Sequence, residues 1–227
     1  MNTLLENLSS DIAHFFESKK KSSDVFCNEC DLQLQLARYL SCSYKIHLEY
    51  FIPYSAVEAQ MKSKLLSEHD YKQQNLYIDI VVEKDGEFLP IELKYKTMPI
   101  NAEVYRFGEK LEKVEILKNH GARDLGAYDF WRDVSRIECL IKRFNNVKNG
   151  IALFVTNDKG YWTLPKVGTN PNYANFSMKD GVHNQKKTWL DDTAMSAARP
   201  SFNVNKEYEL VWKDYDLPFR YCLLQIK

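Results

Sequence analysis

The stretch Tyr77 to Lys96, YIDIVVEKDGEFLPIELKYK, constrains the fold more than any other part of the chain. Apolar and charged residues alternate on both sides of Asp85-Gly86, which reads as two strands joined by a two-residue turn. With Asp85 and Gly86 in the turn, Lys84 pairs with Glu87 and the register of the whole hairpin follows. Asp79 then falls opposite Glu92, and Lys94 lies two residues along the same face. The other face pairs Ile78 with Leu93, Ile80 with Ile91 and Val82 with Leu89, a surface suited to a core. Facing carboxylates destabilise a sheet. A divalent metal between them would remove that penalty, so the hairpin carries a functional signal as well as a structural one.

Hydrophobic period and capping residues set the surrounding elements. Leu4, Leu5, Leu8, Ile12, Phe15 and Phe16 recur at helical spacing over residues 3 to 20, with Thr3 and Glu6 as a capping box and Lys19 to Lys21 at the end. A second helix is expected over about 24 to 40, entered through Ser22, Ser23 and Asp24. Val25, Leu32, Leu36 and Tyr39 form its apolar stripe. Glu29 takes the remaining position of that stripe and Gln33 follows one turn later, so the core-facing side carries a carboxylate. Residues 44 to 52 read as a strand ended by Pro53, 55 to 75 as mixed, and 101 to 118 as an exposed, charge-rich helix. A longer helix over about 122 to 144 precedes 151 to 156, a strand buried on both faces. Residues 157 to 205 show no clear period, and closing strands are expected near 207 to 212 and 220 to 226. The order makes an α/β protein with a mixed central sheet flanked by helices.

At 227 residues and 26.7 kDa, with 44% hydrophobic residues, the chain suits one packed domain. Its formal net charge of +0 gives no global pull toward nucleic acid, so any basic surface must be local. No apolar run approaches the roughly 18 residues of a spanning helix, and no secretory signal is evident. The five cysteines are scattered apart from the Cys27-Cys30 pair, which suggests reduced thiols in a cytoplasmic protein. That lone CxxC reads as small helix-packing residues ahead of a zinc or redox site. Walker A, HExxH and GxSxG patterns are absent from the sequence.

Asp79, then Glu92-Leu93-Lys94 after a gap, behind a helix bearing Glu29, resembles the PD-(D/E)XK nuclease superfamily, whose fold is restriction-endonuclease-like. The order helix, three strands, helix, strand is similar to that family's core and covers about residues 24 to 156. The chain, 1–227, is then a single domain, with the N-terminal helix, an inserted helix near 101–118 and a C-terminal elaboration over 157–227 outside that core. Glu-x-Lys alone is common in charged proteins; the weight rests on its coincidence with an opposed strand Asp and a Glu in a helix's apolar stripe. The proline that names the family has no counterpart, since Tyr77-Ile78 precede Asp79.

The resemblance implies an endonuclease-like hydrolase that cleaves phosphodiester bonds of nucleic acid, DNA ahead of RNA. Asp79 and Glu92 would hold Mg²⁺, with Mn²⁺ as a substitute, the Leu93 backbone carbonyl would be a third ligand, and Glu29 would reach the metal directly or through water. Lys94 would orient or deprotonate the attacking water and stabilise charge near the scissile phosphate. The bland alternative makes Asp79 and Glu92 solvated charges on an open face and Lys94 their counter-ion. A catalytically silent nucleic-acid-binding or assembly module of the same fold is the second functional reading. An unrelated small-molecule α/β protein is the third. Cutting two strands would favour a homodimer, but no dimer surface is readable.

Further contacts with nucleic acid are assigned to Lys96, on the Lys94 face; Arg123, near a helix start; and Trp162, Lys166, Lys186 and Lys187, where aromatics and lysines interleave. The alternative for the 157 to 189 stretch is a surface excursion whose aromatics pack on the domain, with His183 facing solvent. Charges from Arg123 to Glu138 read either as a solvated salt ladder or as one face lining the active-site groove.

Overall fold

The computed structural model describes residues 3–20, 25–57, 75–163, 171–191, 193, 196 and 198–227. Helix α1, Leu4–Lys20, starts at the expected capping box: Thr3 N donates to Glu6 Oε2 at 2.8 Å and Glu6 N to Thr3 Oγ1 at 3.2 Å. Helix α2, Glu29–Leu40, starts later than the sequence suggested, and Ser22 to Asp24 lie outside the described residues. Asn28 is the cap. Its side chain accepts from Asp31 N at 2.8 Å while Asp31 Oδ2 accepts from Cys27 N at 2.9 Å. This reciprocal pair satisfies the amides of Asp31 and Cys27 at the helix start. Cys27 and Cys30 straddle the helix start as exposed free thiols.

Strands β1 (Lys45–Pro53), β2 (Asn75–Lys84) and β3 (Glu87–Lys96) run in antiparallel succession. The next segment is a correction. Residues expected as a helix over 101–118 form a second hairpin, β4 (Ile100–Arg106) and β5 (Glu109–Leu117). Phe107 and Gly108 take φ of 53° and 87° at its turn, as Asp85 and Gly86 do at 52° and 81°. Such paired left-handed residues match the twist of a hairpin. The EKLEKVEIL run fits a period of two as well as a helical one, and the turn decides between them.

Helix α3 (Arg123–Arg143) then crosses to β6 (Gly150–Thr156), which lies parallel to β3. Short strands β7 (Gly181–His183), β8 (Lys186–Lys187), β9 (Phe202–Asn203) and β10 (Tyr208–Leu210) follow. Strands β11 (Trp212–Asp216) and β12 (Phe219–Ile226) close the chain. The central sheet is six-stranded, in the order β1-β2-β3-β6-β12-β11, and mixed. The last two strands extend the main sheet beyond β6.

Two layers cover the sheet. On one face α1 and α2 pack on Ile80, Val82, Leu89, Ile91, Leu93, Leu153 and Val155. The Phe16 ring lies 4.3 Å from that of Tyr221, which ties α1 to β12. On the other face α3 packs on Ala152, Phe154, Leu224 and Ile226, with Phe176, Trp189, Phe202 and Tyr208 behind it. No helix among the described residues is long and apolar enough to cross a membrane.

Candidate active site

The hairpin has the expected register, from Lys84 opposite Glu87 to Ile80 opposite Ile91. The ladder stops one residue short of Asp79 and Glu92, and the side chains explain why. Leu93 N donates to Asp79 Oδ2 at 2.6 Å, and the Asp79 carbonyl accepts from Gln33 Nε2 at 2.7 Å. Ile78 packs with Leu76, Val81 and Leu140 instead of facing Leu93, a correction to the expected pairing. The next amide along the same edge, Tyr95 N, donates to Glu29 Oε2 at 2.7 Å. The edge of β3 that β2 leaves is thus satisfied by two carboxylates, one from β2 and one from the first residue of α2. Satisfying buried backbone amides this way avoids the penalty of stranded donors.

Helix α3 closes the opposite side. Lys94 Nζ lies 2.6 Å from Asp133 Oδ2 and donates to the Leu93 carbonyl at 3.0 Å. Arg136 reaches Asp133 Oδ1 at 3.1 Å, the Tyr77 carbonyl at 2.9 Å and Glu92 Oε1 at 3.3 Å. Asp133, Glu92 and Arg136 are all buried. Two of the α3 charges, Asp133 and Arg136, therefore lie against Lys94 and Glu92, while Asp129 pairs with Arg132 and Arg123 with Asp158. Asp133 and Arg136 were missed as site residues. The available signal was their position beside Phe130, Val134 and Ile137, the apolar residues of the helix.

The charges perturb one another strongly. Burial pushes Glu29 above the ordinary carboxylate range, against the pull of Lys94. Burial also raises Asp79, with Asp133 adding to the effect. Glu92 is raised well above its ordinary value by burial, and further by Asp79 and Asp133, despite Arg136. Burial would raise Asp133 too, but Lys94, Arg136 and Arg132 outweigh it and hold its carboxyl low. Burial opposes the Lys94 charge; Asp133, Glu29, Asp79 and Glu92 together keep its pKa above the ordinary 10.5. In this arrangement Lys94 is an ammonium, able to orient and donate rather than accept a proton.

No group of three His, Cys, Asp or Glu side chains forms a ready metal-ligand set among the described residues. The donor chemistry nevertheless fits a hard divalent cation. Glu92 Oε1 is buried without an aligned hydrogen bond among the described residues, and Asp79 and Glu29 accept from successive amides of one β3 edge. The Leu93 carbonyl points to the same edge as its amide, as both do within a strand residue. Carboxylate and carbonyl oxygens are the ligands that Mg²⁺ and Mn²⁺ prefer.

No family model, curated protein or solved structure matches the chain.

The expected nucleic-acid contacts divide. Lys96 is half-exposed at the end of β3 and acts on Glu29. Arg123, the first residue of α3, pairs with Asp158 Oδ2 at 2.6 Å. Trp162 is partly buried against Trp212, with Arg220 over its ring at 5.2 Å. Lys186 is exposed on β8, and Lys166 lies outside the described residues. Lys187 is a correction: it is fully buried, with Nζ 3.4 Å from the Trp131 ring centroid, so it cannot reach a phosphate from there. Tyr161, Phe176 and Trp189 are core residues, and His183 is buried with Nε2 2.8 Å from the Lys179 carbonyl. The aromatic stretch is inward-facing because α3 offers it an apolar surface to cover.

Proposed function

We propose that this protein is a metal-dependent nuclease with a restriction-endonuclease-like core, hydrolysing phosphodiester bonds of nucleic acid, DNA ahead of RNA. One observation carries the reading. Three carboxylates from three separate elements, Glu29, Asp79 and Glu92, meet Lys94 where β2 parts from β3. A stable fold has no need of so costly a cluster, since burying like charges together is destabilising.

Asp79, Glu92 and the Leu93 carbonyl would hold Mg²⁺ or Mn²⁺, with Glu29 reaching it directly or through water. The bound cation would polarise the phosphoryl oxygen and activate water. Lys94 supplies a fixed ammonium beside the acids, to orient the attacking water and offset charge on the phosphate. Gln33 fixes the backbone of Asp79, and Tyr95 N fixes the Glu29 carboxylate.

A second reading, a catalytically silent nucleic-acid-binding module of the same fold, draws on one observation. Arg136 and Lys94 already contact Glu92 and the Leu93 carbonyl. Incubation with single- and double-stranded DNA and RNA, in Mg²⁺, Mn²⁺ or EDTA, separates the two. Cleavage that needs metal and is lost in Asp79→Ala and Lys94→Ala supports the nuclease. Cleavage that survives both substitutions contradicts the site, and binding without cutting under every metal supports the silent module.

A further inference from the structure

An opening lies beside the acids, on the α3 side of the sheet. Its floor is formed by Ile78, Val81 and Leu140, all buried, and its walls by the half-buried rings of Tyr50, Phe88 and Phe144. It encloses about 530 Å³, within the range of roughly 300–1,000 Å³ typical of pockets for small organic groups. The opening is continuous with the site along both elements that frame it. Leu140 stands one turn along α3 from Arg136. Pro90 lies opposite Val81 and lines the opening two residues before Glu92, on the same face of β3. Ile78 follows Tyr77, whose carbonyl accepts from Arg136. Two residues of strand span about 7 Å, a distance that one nucleotide covers between its phosphate and its base.

The two regions differ in charge. The site is built of carboxylates and their cations, whereas the described residues lining the opening include no ionisable side chain besides the Tyr50 phenol. At the rim Asn145 and Asn146 are exposed, and a side-chain amide offers both donors and an acceptor. Such an opening suits an uncharged, flat ring with hydrogen-bonding edges and rejects a phosphate. A nucleobase has those properties and is tethered to a phosphate at the distance that separates the two regions. We propose that the opening is a nucleobase subsite, which takes an unpaired base next to the scissile phosphate, so that the preferred substrate is single-stranded nucleic acid. The proposal rests on the nuclease reading above and deepens it by naming the form of the substrate. A base within a duplex is stacked and paired, and enters such a pocket only by leaving the helix, at a cost. A single strand presents its bases without that cost, and stacking on aromatic rings tolerates any base.

Tyr50→Ala and Phe144→Ala each remove a wall and should weaken binding of a single strand by about tenfold. Tyr50→Phe keeps the ring and should bind close to wild type. Asn145→Ala, at an exposed position that the fold does not need, should weaken it by about threefold. A strand of the same length made of abasic sites carries the phosphates without the bases, so none of these variants should change its affinity. A purely structural role for Tyr50 and Phe144 would weaken both strands alike.

Fluorescence anisotropy of the full chain with labelled oligothymidine, its abasic counterpart and a blunt duplex reads these affinities, and circular dichroism confirms that each variant is folded. The titrations are run in EDTA and again in Ca²⁺, which takes the same oxygen ligands as Mg²⁺ in a looser geometry. A preference for the base-bearing strand that the pocket variants erase supports the proposal. Equal affinity for the two strands, tighter binding of the duplex, a base preference that survives the variants, or losses shared by the abasic strand overturn it and leave the nuclease reading intact. Absence of binding to all three in both media overturns the nucleic-acid reading itself and this proposal with it.

Discussion

Lys94 Nζ lies 2.6 Å from Asp133 Oδ2, joining the C-terminal end of β3 to the centre of α3 through an ion pair whose side chains are 15% and 1% exposed. Removing one partner of a buried pair leaves the other uncompensated, which costs more than the pair contributes. Lys94→Ala leaves four carboxylates without their ammonium and should destabilise by about 3 kcal/mol or more. Asp133→Asn should cost less, because Glu29, Asp79 and Glu92 still surround Lys94. The double variant should be more stable than the sum of the single losses predicts, by about 1 kcal/mol or more. Urea unfolding of the four proteins measures this coupling. Strict additivity would mean that the pair is not energetically linked.

The three raised carboxyls give the metal-free protein a distinctive pH profile. A carboxyl whose folded pKa is raised contributes stability below its unfolded value, and that contribution is lost as pH climbs through the folded value. Unfolded values are near 4.5 for Glu29 and Glu92 and 3.8 for Asp79. Asp133 runs the other way: with its folded pKa held below 3.8, its contribution is complete at higher pH and is lost only in stronger acid. In EDTA the protein should therefore be more stable at about pH 5 than at about pH 7.5, and Asp79→Asn should flatten that difference. Mg²⁺ should restore stability at the higher pH by binding the native state. Because Lys187, His183 and His120, all lowered by burial, push the whole-protein profile the other way, the test is the difference between the two proteins: an Asp79→Asn profile with the same slope as wild type would contradict the crowding argument.

The position of α3 over the site depends on a close approach to β6. A Cβ added at Gly150 would run into Ile137 Cγ2 and come within 3.1 Å of the Pro90 carbonyl. Gly150→Ala should push α3 from the sheet and destabilise by about 1–3 kcal/mol through overpacking. The same shift would disturb Asp133 and Arg136, so metal affinity should fall along with the unfolding midpoint. An Ala variant with wild-type stability would show that the helix yields freely there.

Much of this arrangement was legible because the Asp-Gly turn fixes a register and a register fixes faces. It fixed the pairs from Lys84 with Glu87 to Ile80 with Ile91, though not the expected Asp79 with Glu92, and the stripe of α2 delivered Glu29. The end of the ladder was not legible, because the Asp79 side chain takes an amide that pairing rules alone would leave to the neighbouring backbone. The 101–118 hairpin was misread because a run such as EKLEKVEIL satisfies both periods and its Phe-Gly turn is not a strong signal. Asp133 and Arg136 looked like members of a solvated ladder. Only the sheet on which α3 rests reveals them as buried, and their partners Glu92 and Lys94 are remote in sequence.

Lys187 shows the same limit from the other side. Among lysines and aromatics it read as part of a basic footprint, yet it is buried over Trp131 with no hydrogen-bond partner for Nζ among the described residues. Burial pushes its pKa down from 10.5 to about 7. A lysine lowered in this way binds fewer protons folded than unfolded, so its penalty is full below about pH 7 and fades as pH rises toward 10.5. The cation–π contact with the indole offsets only part of the lost hydration. Lys187→Met keeps the length of the side chain without the charge, and should stabilise the protein by about 2 kcal/mol near neutral pH. The gain should be larger at about pH 6 than at about pH 10, because only the wild-type lysine titrates between them. Thermal unfolding of both proteins across that range gives the comparison. If Lys187→Met were destabilising throughout, the ammonium would have to be partnered in solution, and its burial would then mark an interaction and not a cost.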